Sequence, residues 1–245
     1  IPGYNARQVL AHYKGPYITP QLELPPVVAA ESPEHPNGYS DGSLLTPLFP
    51  DYALGGAAVW YPGRNLTDTP LHQNEQDSGE CKCTRDGTAI WGPIFGTHAS
   101  STRAELAGGL TSLSAPMGLF LASDSLTFVK GAQDLTQRHS WRFYRPWRLT
   151  PNGDLWAVYD RHLRLRGYSS TRHSWCKGHA TPEHVAAKLL TEVERVDNHI
   201  VDDCATKGIQ IHDAAVQLAQ CYAYNTWLLT VAAEVIHDLQ VRVSI

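Results

Sequence analysis

A carboxylate followed by glycine stands in the first strand-like stretch of the chain, and three further carboxylates follow at wide spacing. Asp41 precedes Gly42, which predicts a tight turn at this point of the stretch Gly38–Leu45. The other three are Glu105, Asp124 and Asp202. Carboxylates brought close together repel one another, so a cation or a proton must offset their charge. Four of them on four separate elements suit two hard cations, because Mg²⁺ prefers oxygen ligands.

After three successive strand patterns, helix and strand patterns alternate along the chain, which is typical of α/β proteins. The predicted strands are Gly38–Leu45, Leu54–Tyr61, Thr88–Thr97, Gly118–Ser123 and Arg172–Cys176. The predicted helices are Ser100–Ala115, Ser125–Gln137, Asp154–Arg166 and Thr181–Ala205. We expect the first three strands to form an antiparallel meander and the fourth to lie parallel to the first. The polar stretch Pro62–Asp86 is interpreted as a loop insertion.

Six short phrases, in this order along the chain, resemble the type 1 ribonuclease H family. They are Asp41-Gly42-Ser43, Thr102-Arg103-Ala104-Glu105-Leu106, Ser123-Asp124-Ser125, Asn152-Gly153-Asp154-Leu155-Trp156, Lys177-Gly178-His179-Ala180, and Asn198 with Asp202 and Ala205. The resemblance extends from Pro36 to Lys207. It implies an α/β, ribonuclease H-like fold in which a five-stranded mixed sheet is flanked by helices.

The same resemblance implies a metal-dependent endonuclease that cuts the RNA strand of RNA–DNA hybrids and leaves 5′-phosphate and 3′-hydroxyl ends. It implies two Mg²⁺ ions, with Mn²⁺ as an alternative, held by Asp41, Glu105, Asp124 and Asp202. His179 would assist water positioning or product release. The expected substrate contacts are Ser100, Ser101, Arg103, Ser125, Arg142, Arg145, Trp147, Asn152 and Lys177.

Three of these contacts belong to a segment, Gln137–Arg148, in which arginines alternate with aromatic residues. Such a mixture suits phosphates together with sugar or base faces. The alternative is amphipathic packing, with the aromatic rings buried and the arginines in solvent.

The chain departs from the family pattern in ways that leave alternatives open. The stretch from His179 to Asp202 is longer than the family's loop, so Asp203 and Asp197 stay alternative fourth ligands. Ser101 and Leu126 stand where the family has an asparagine and a glutamine that contact the hybrid. A related nuclease acting on another nucleic acid, or a non-catalytic module that binds nucleic acid or protein, is therefore kept as an alternative function.

The two ends of the chain differ from the central part. Residues 1–35 are rich in proline and are interpreted as an N-terminal arm or linker, residues 36–207 as the ribonuclease H-like domain, and residues 208–245 as a C-terminal helical extension. The helix predicted at Gln210–Val243 has more apolar residues than one narrow buried face would contain. We therefore expect it to pack on this domain, on a protein partner or on a second copy of the chain.

The chain begins at Ile1 without a signal-peptide pattern, and no apolar run is long enough to span a membrane. We therefore expect an intracellular domain, in the cytoplasm or nucleus, of a longer polyprotein such as that of a retroelement. A polymerase is the expected upstream domain, and no membrane partner is expected.

Composition adds two constraints. The formal net charge of the 245 residues is −4, unlike the basic total that is usual for nucleic-acid binders, so any basic surface must be local. The five cysteines are an odd number, which favours a reducing compartment. A zinc site at Cys81 and Cys83 with His72 and His98 is disfavoured because the usual second ligand pair is missing.

Overall fold

The structure is a computed structural model that describes residues 31–45, 53–94, 99–137, 146–212 and 214–243. Most of the predicted N-terminal arm lies outside these ranges. So does most of the basic and aromatic segment, including the predicted substrate contacts Arg142 and Arg145.

Six strands form one mixed sheet in the order β3-β4-β2-β1-β5-β6. They are β1 (Gly38–Leu45), β2 (Leu54–Pro62), β3 (Glu80–Thr84), β4 (Gly87–Ile94), β5 (Leu119–Ser123) and β6 (Thr171–Trp175). The first four strands pair antiparallel, whereas β1–β5 and β5–β6 are parallel. The predicted mixed sheet is confirmed, including the parallel pairing of its first and fourth predicted strands.

The prediction of five strands is wrong by one, because β3 lies in the stretch Pro62–Asp86 that was interpreted as a loop. Every residue of β3 is exposed. An edge strand of this kind pairs through its backbone and buries no side chains, so it leaves no alternating apolar pattern in the sequence. The same stretch also contains a short helix, α1 (Gln73–Asp77).

Within the described residues, six further α-helices follow in chain order. They are α2 (Ser101–Ser112), α3 (Leu126–Gln137), α4 (Gly153–Arg166), α5 (Pro182–Ala186), α6 (Glu192–Gln210) and α7 (Ala214–Val243).

The single helix predicted at Thr181–Ala205 is wrong, because α5 and α6 are separate. Lys188 follows α5 with a φ of 57°, a left-handed conformation that commonly ends helices. Thr191 then caps α6 in a capping box with Glu194. Helix α6 also continues to Gln210, past the expected domain boundary at residue 207. Asp202 therefore lies in the middle of a helix rather than near its end.

Helices cover both faces of the sheet. On one face, apolar residues of α2, α3 and α4 form the larger core, with Phe128, Tyr159 and Leu106 fully buried. On the other face, Val201 and Ala205 of α6 pack against residues of β1, β2 and β4 such as Trp60. The flanking helices predicted for the fold are therefore confirmed, and the sheet with β1 and β5 lies between the two helical layers.

The C-terminal helix α7 does not bury its described side chains, which span residues 224–241. Apart from the half-buried Val231, its large apolar residues are 40% to 72% exposed, with Tyr224 and Leu229 at the two extremes. Of the three surfaces on which this helix was expected to pack, the domain itself is therefore not the one that covers residues 224–241. In the described part of the chain, no helix combines the length and apolarity needed to cross a membrane.

Candidate metal centre

Parallel pairing of two neighbouring strands brings the first two carboxylates together. Tyr39 of β1 lies opposite Ala122 of β5. Two residues further along each strand, Asp41 and Asp124 are therefore side by side. Asp41 lies within the strand, and Asp124 directly follows Ser123, the last residue of β5.

Gly42 has a different role from the one predicted, because β1 continues through it without a tight turn. A Cβ at this position would lie 2.3 Å from the backbone nitrogen of Glu105. Only glycine therefore lets α2 cross β1 this closely. This approach places Glu105, in the second turn of α2, beside the carboxylate of Asp41.

Asp41, Glu105 and Asp124 each offer a carboxylate oxygen, and these oxygens lie within 4.8 Å of one another. Within the described ranges, this is the sole set of three histidine, cysteine, aspartate or glutamate side chains close enough to hold one metal ion. Asp41 and Glu105 are only 5% and 8% exposed. We call these three residues the acidic cluster.

The electrostatics of the acidic cluster are unfavourable for three free carboxylates. Burial, and then the charge of Asp124, raise the pKa of Asp41 to about 8. Burial, and then the charge of Asp41, raise the pKa of Glu105 to about 10. Burial also raises the pKa of Asp124. Without a cation the cluster must therefore retain protons at neutral pH.

The residues present fit a hard divalent cation. Oε2 of Glu105 is buried and has no hydrogen-bond partner, an arrangement that is costly unless something else contacts the oxygen. All the atoms offered by the acidic cluster are carboxylate oxygens, which are the ligands that Mg²⁺ and Mn²⁺ prefer.

Two residues that were not predicted as site residues hold Asp124 in place. The Asn198 side chain in α6 donates a hydrogen bond to Asp124, and it accepts one from the Cys176 thiol at 3.2 Å. Gly178 also lies against Asp124, since a Cβ at this position would be 2.0 Å from its Oδ2. Both residues occur in the sequence phrases that resemble the family, but neither was predicted to contribute to the site.

Asp202 lies beside the acidic cluster and not within it. Its charge contributes to the raised pKa values of Asp41, Glu105 and Asp124, and its Oδ2 lies 3.5 Å from Nδ1 of His179. The side chain of His179 is 85% exposed, and its φ is 46°, which marks a tight left-handed bend in the loop.

The two alternative fourth ligands are placed differently from Asp202. Asp203 is exposed. Asp197 is buried and accepts a hydrogen bond from Nε1 of Trp60 at 2.8 Å. Of the three aspartates, Asp202 is therefore the one whose placement suits a ligand beside the cluster.

Three predicted substrate contacts gather at the N-terminus of α2, and two of them have structural partners. The hydroxyl oxygen of Ser100 accepts a hydrogen bond from the backbone nitrogen of Arg103 at 3.1 Å and caps the helix, while Ser101 is exposed. The guanidinium of Arg103 donates two hydrogen bonds to Asp154, at 2.9 and 2.6 Å. This bidentate pair joins α2 to the start of α4.

Trp147 and Asn152 line one pocket of about 370 Å³, together with residues of α2, α3 and α4. Asn152 has a φ of 54°, and the backbone bends there into α4. Ser125 lies next to Asp124, and its hydroxyl oxygen accepts from the backbone nitrogen of Phe128 at 3.4 Å. Lys177 follows β6 and is half-buried.

The disfavoured zinc site receives no support from the described residues. Cys81 and Cys83 are exposed on the edge strand β3. The ring of His72 accepts a hydrogen bond from the backbone nitrogen of Asn74 and caps α1. His98 lies outside the described residues.

No family model matches the chain, and no curated protein matches it either. Among solved structures, the crystal structure of the prototype foamy virus protease-reverse transcriptase is 16% identical, with a TM-score of 0.48. The match covers 75% of this chain and 22% of that one, so this chain spans about a fifth of the viral protein.

Two single-domain structures are similar at the same level. The solution structure of the foamy virus ribonuclease H domain is 15% identical, covers 71% of this chain and 93% of its own, and has a TM-score of 0.45. LC9 ribonuclease H1, a type 1 enzyme with the type 2 active-site motif, is 15% identical, covers 75% and 83%, and has a TM-score of 0.42. Both are ribonuclease H structures, the family that the sequence phrases resemble.

Proposed function

We propose that this chain is a metal-dependent endoribonuclease that cleaves the RNA strand of RNA–DNA hybrids. The observation that carries the proposal is the acidic cluster, in which three carboxylate oxygens from three elements lie within 4.8 Å of one another. Their raised pKa values and the unpartnered Oε2 of Glu105 are what a bound cation would relieve. A cluster this unfavourable without a ligand is more simply explained by cation binding than by a structural role.

Asp41, Glu105 and Asp124 would hold one side of a pair of Mg²⁺ or Mn²⁺ ions, and Asp202 the other. When bound, the ions would supply Lewis-acid stabilisation of the phosphate and an activated water. The chain itself would orient Asp124 in this arrangement, through the hydrogen bond from Asn198 and the close approach of Gly178.

His179 would assist water positioning or product release at the edge of the site. Its imidazole is exposed, and Nδ1 lies 3.5 Å from Oδ2 of Asp202, which supports a role beside the proposed fourth metal ligand. In the hydrolysis, water adds to phosphorus and the bond to the 3′ oxygen breaks. The oxygen takes up a proton, which leaves 3′-hydroxyl and 5′-phosphate ends.

The hybrid would lie across the end of the sheet that carries the acidic cluster. The pocket at Trp147 and Asn152 lies at α2, α3 and α4, and its tryptophan rings with an amide group suit a sugar and phosphate. Ser100, Ser101, Ser125 and Lys177 would contribute further contacts. For Arg103 we propose an indirect contribution, since its guanidinium is already bound to Asp154.

The test is cleavage of a labelled RNA–DNA hybrid with Mg²⁺ or Mn²⁺, beside double-stranded RNA, double-stranded DNA and single strands. Asp124→Asn is the inactive control. Cutting of the hybrid alone, lost in the variant, supports the proposal. Cutting of another nucleic acid points to a related nuclease, and binding without any cutting points to a non-catalytic module.

The larger context of the domain also stays a proposal. The structures found include the foamy viral protease-reverse transcriptase in complex with an RNA/DNA hybrid, which is a property of that protein. For this chain, an origin in a retroelement polyprotein, a polymerase upstream and an intracellular location stay predictions.

We further propose that α7 binds a second copy of itself. Leu229, Ala232, Ile236 and Leu239 follow the three- and four-residue spacing of a coiled-coil seam. The charged and histidine side chains of residues 224–241 are Glu234, His237 and Asp238. All three lie on the face opposite this seam, so two identical helices could meet there without repulsion between like charges.

A further inference from the structure

Helix α6 carries a basic group on the face that also carries Asp202. Arg195 and His199 precede Asp202 by seven and three residues, and at 3.6 residues per turn all three project from the same side of the helix. They line one open pocket of about 240 Å³ together with His179, Ala180 and Asn198. The pocket therefore joins two basic side chains to the proposed fourth metal ligand.

This arrangement depends on the long stretch between His179 and Asp202 that departs from the family pattern. Helix α6 begins at Glu192, ten residues before Asp202, so nearly three helical turns precede the aspartate. Arg195 lies in the first of these turns. With a rise of about 1.5 Å per residue, it stands about 10 Å along the helix axis from Asp202.

The side chain of Arg195 is held by an ion pair one turn earlier in the same helix. Its Nε and Nη2 donate to the carboxylate of Glu192, at 2.8 and 2.6 Å. This bidentate bond uses two of the three nitrogens, and within the described residues no hydrogen bond of Nη1 is formed. A guanidinium oriented in this way is suited to an additional oxygen ligand, because its donors lie in one plane.

His199 occupies the middle of the group and is exposed. A neutral imidazole carries one N–H donor and an imidazolium carries two, so it can donate to a phosphate oxygen in either state. Nearby, Asp202 and the acidic cluster would be offset by bound cations. With metal bound, the guanidinium of Arg195, the imidazole of His199 and the carboxylate of Asp202 would follow one another along the helix.

We propose that Arg195 and His199 form a subsite for a phosphate of the cleaved RNA strand adjacent to the scissile phosphate. This inference rests on the proposed function and deepens it. Phosphate contacts fix the register of a nucleic acid on a protein without reading its sequence. A contact on the same helix as Asp202 sets the position of the scissile phosphate relative to the metal site.

The experiment measures equilibrium binding of a labelled RNA–DNA hybrid by fluorescence anisotropy in Mg²⁺, at salt concentrations between about 50 and 200 mM. All proteins carry Asp124→Asn so that the hybrid stays intact. Arg195→Gln should reduce the slope of log K against log salt by about 0.9, the value for one lost phosphate contact on a duplex. His199→Gln should weaken binding with a smaller change in slope.

Two matched controls separate phosphate binding from helix stability. Glu192→Gln removes the ion pair between Glu192 and Arg195 but keeps the charged guanidinium of Arg195, so it should retain the wild-type slope. Lys207→Gln removes an exposed positive charge from another face of α6, beyond Asp202, and should also retain it. With Asp124 intact, Arg195→Gln should raise the KM for hybrid cleavage more than it lowers kcat.

Failure of the subsite and failure of the proposed function give different results. If the Asp124→Asn protein binds the hybrid, and adding Arg195→Gln changes neither the affinity nor the slope of log K against log salt, the subsite is wrong and the proposed function stands. Equal losses of slope in Glu192→Gln and Arg195→Gln would also overturn the subsite. If the chain with Asp124 intact neither binds nor cuts any nucleic acid, both proposals are wrong.

Discussion

Gly178 lies so close to Asp124 that a Cβ at position 178 would be 2.0 Å from Oδ2 of the aspartate. The loop after β6 therefore confines this carboxylate, which also accepts a hydrogen bond from the Asn198 side chain. Because the contact is with the end of a side chain and not with backbone, a methyl group there would displace the carboxylate without disrupting the sheet.

The first prediction follows from this contact. Gly178→Ala should weaken Mg²⁺ binding by about 10- to 100-fold, the usual cost of disturbing the residues that orient a metal ligand. The melting temperature of the metal-free protein should stay within a few degrees of wild type. Isothermal titration with Mg²⁺ and a thermal melt in EDTA test it, with Asp124→Asn as reference. Unchanged Mg²⁺ affinity would show that the carboxylate can move freely.

A pair of adjacent aspartates gives a second prediction. Asp202→Asn should lower hybrid cleavage by about 100-fold or more, because loss of a ligand at a two-ion site removes several kcal/mol of transition-state stabilisation. Asp203→Asn, one residue further and exposed, should cleave at nearly the wild-type rate. Initial rates under saturating Mg²⁺ compare the two. The reverse order of effects would assign the fourth ligand to Asp203.

The sequence predicted the acidic cluster through the resemblance to the ribonuclease H family, whose short phrases contain Asp41, Glu105 and Asp124. An apolar run ending in Asp124 predicts a buried strand, and parallel pairing with β1 then places Asp124 beside Asp41. The spacing of Asn198 and Ala205 around Asp202 fixed the register of α6, and the structure has Asn198 hydrogen-bonded to Asp124. These features survive in short phrases because each depends on a few neighbouring positions.

The features that the sequence did not predict depend on backbone conformation or on partners distant in the chain. The exposed strand β3 pairs through backbone groups, which leave no side-chain pattern. The break between α5 and α6 depends on a left-handed Lys188, a conformation that lysine rarely adopts and that its identity does not signal. Gly42 resembled a turn residue, whereas its function is to admit the backbone of α2.

The third prediction concerns the stability of the metal-free protein between pH 6 and pH 8. The folded-state pKa values of Asp41 and Glu105, about 8 and about 10, lie above those of the unfolded chain, near 4. In this range the folded state holds protons that the unfolded state has lost. Stability should therefore fall as pH rises, by up to about 1.4 kcal/mol per pH unit for each such proton.

Urea unfolding in EDTA at pH 6, 7 and 8 measures this dependence. Glu105→Gln removes one of the two groups and should flatten the decline, and saturating Mg²⁺ should raise stability most at pH 8. Stability that rises with pH in EDTA for the wild type, or an equal decline in Glu105→Gln, would contradict the assignment.

A buried pair in the larger core gives a fourth prediction. The hydroxyl of Tyr159 and Nε2 of His173 are hydrogen-bonded at 2.7 Å, and Nδ1 of His173 is buried without a partner. Tyr159→Phe would leave both ring nitrogens unpartnered, at a cost of about 1–3 kcal/mol. Urea unfolding at pH 7 measures the loss, with the exposed Tyr224→Phe as control. A loss no larger than that of the control would mean that the imidazole finds another partner.

The last prediction tests the self-association proposed for α7. Leu229 and Ile236 are 72% and 55% exposed on the seam, so replacing both with lysine places like charges against each other in a paired helix. The wild-type chain should be dimeric or larger by light scattering coupled to size-exclusion chromatography, and Leu229→Lys with Ile236→Lys should be monomeric. Thr230→Lys with His237→Lys adds charge to other positions of the same helix and should keep the wild-type mass. A monomeric wild type would overturn the proposal, and equal dissociation by both double variants would show that the contact does not use this seam.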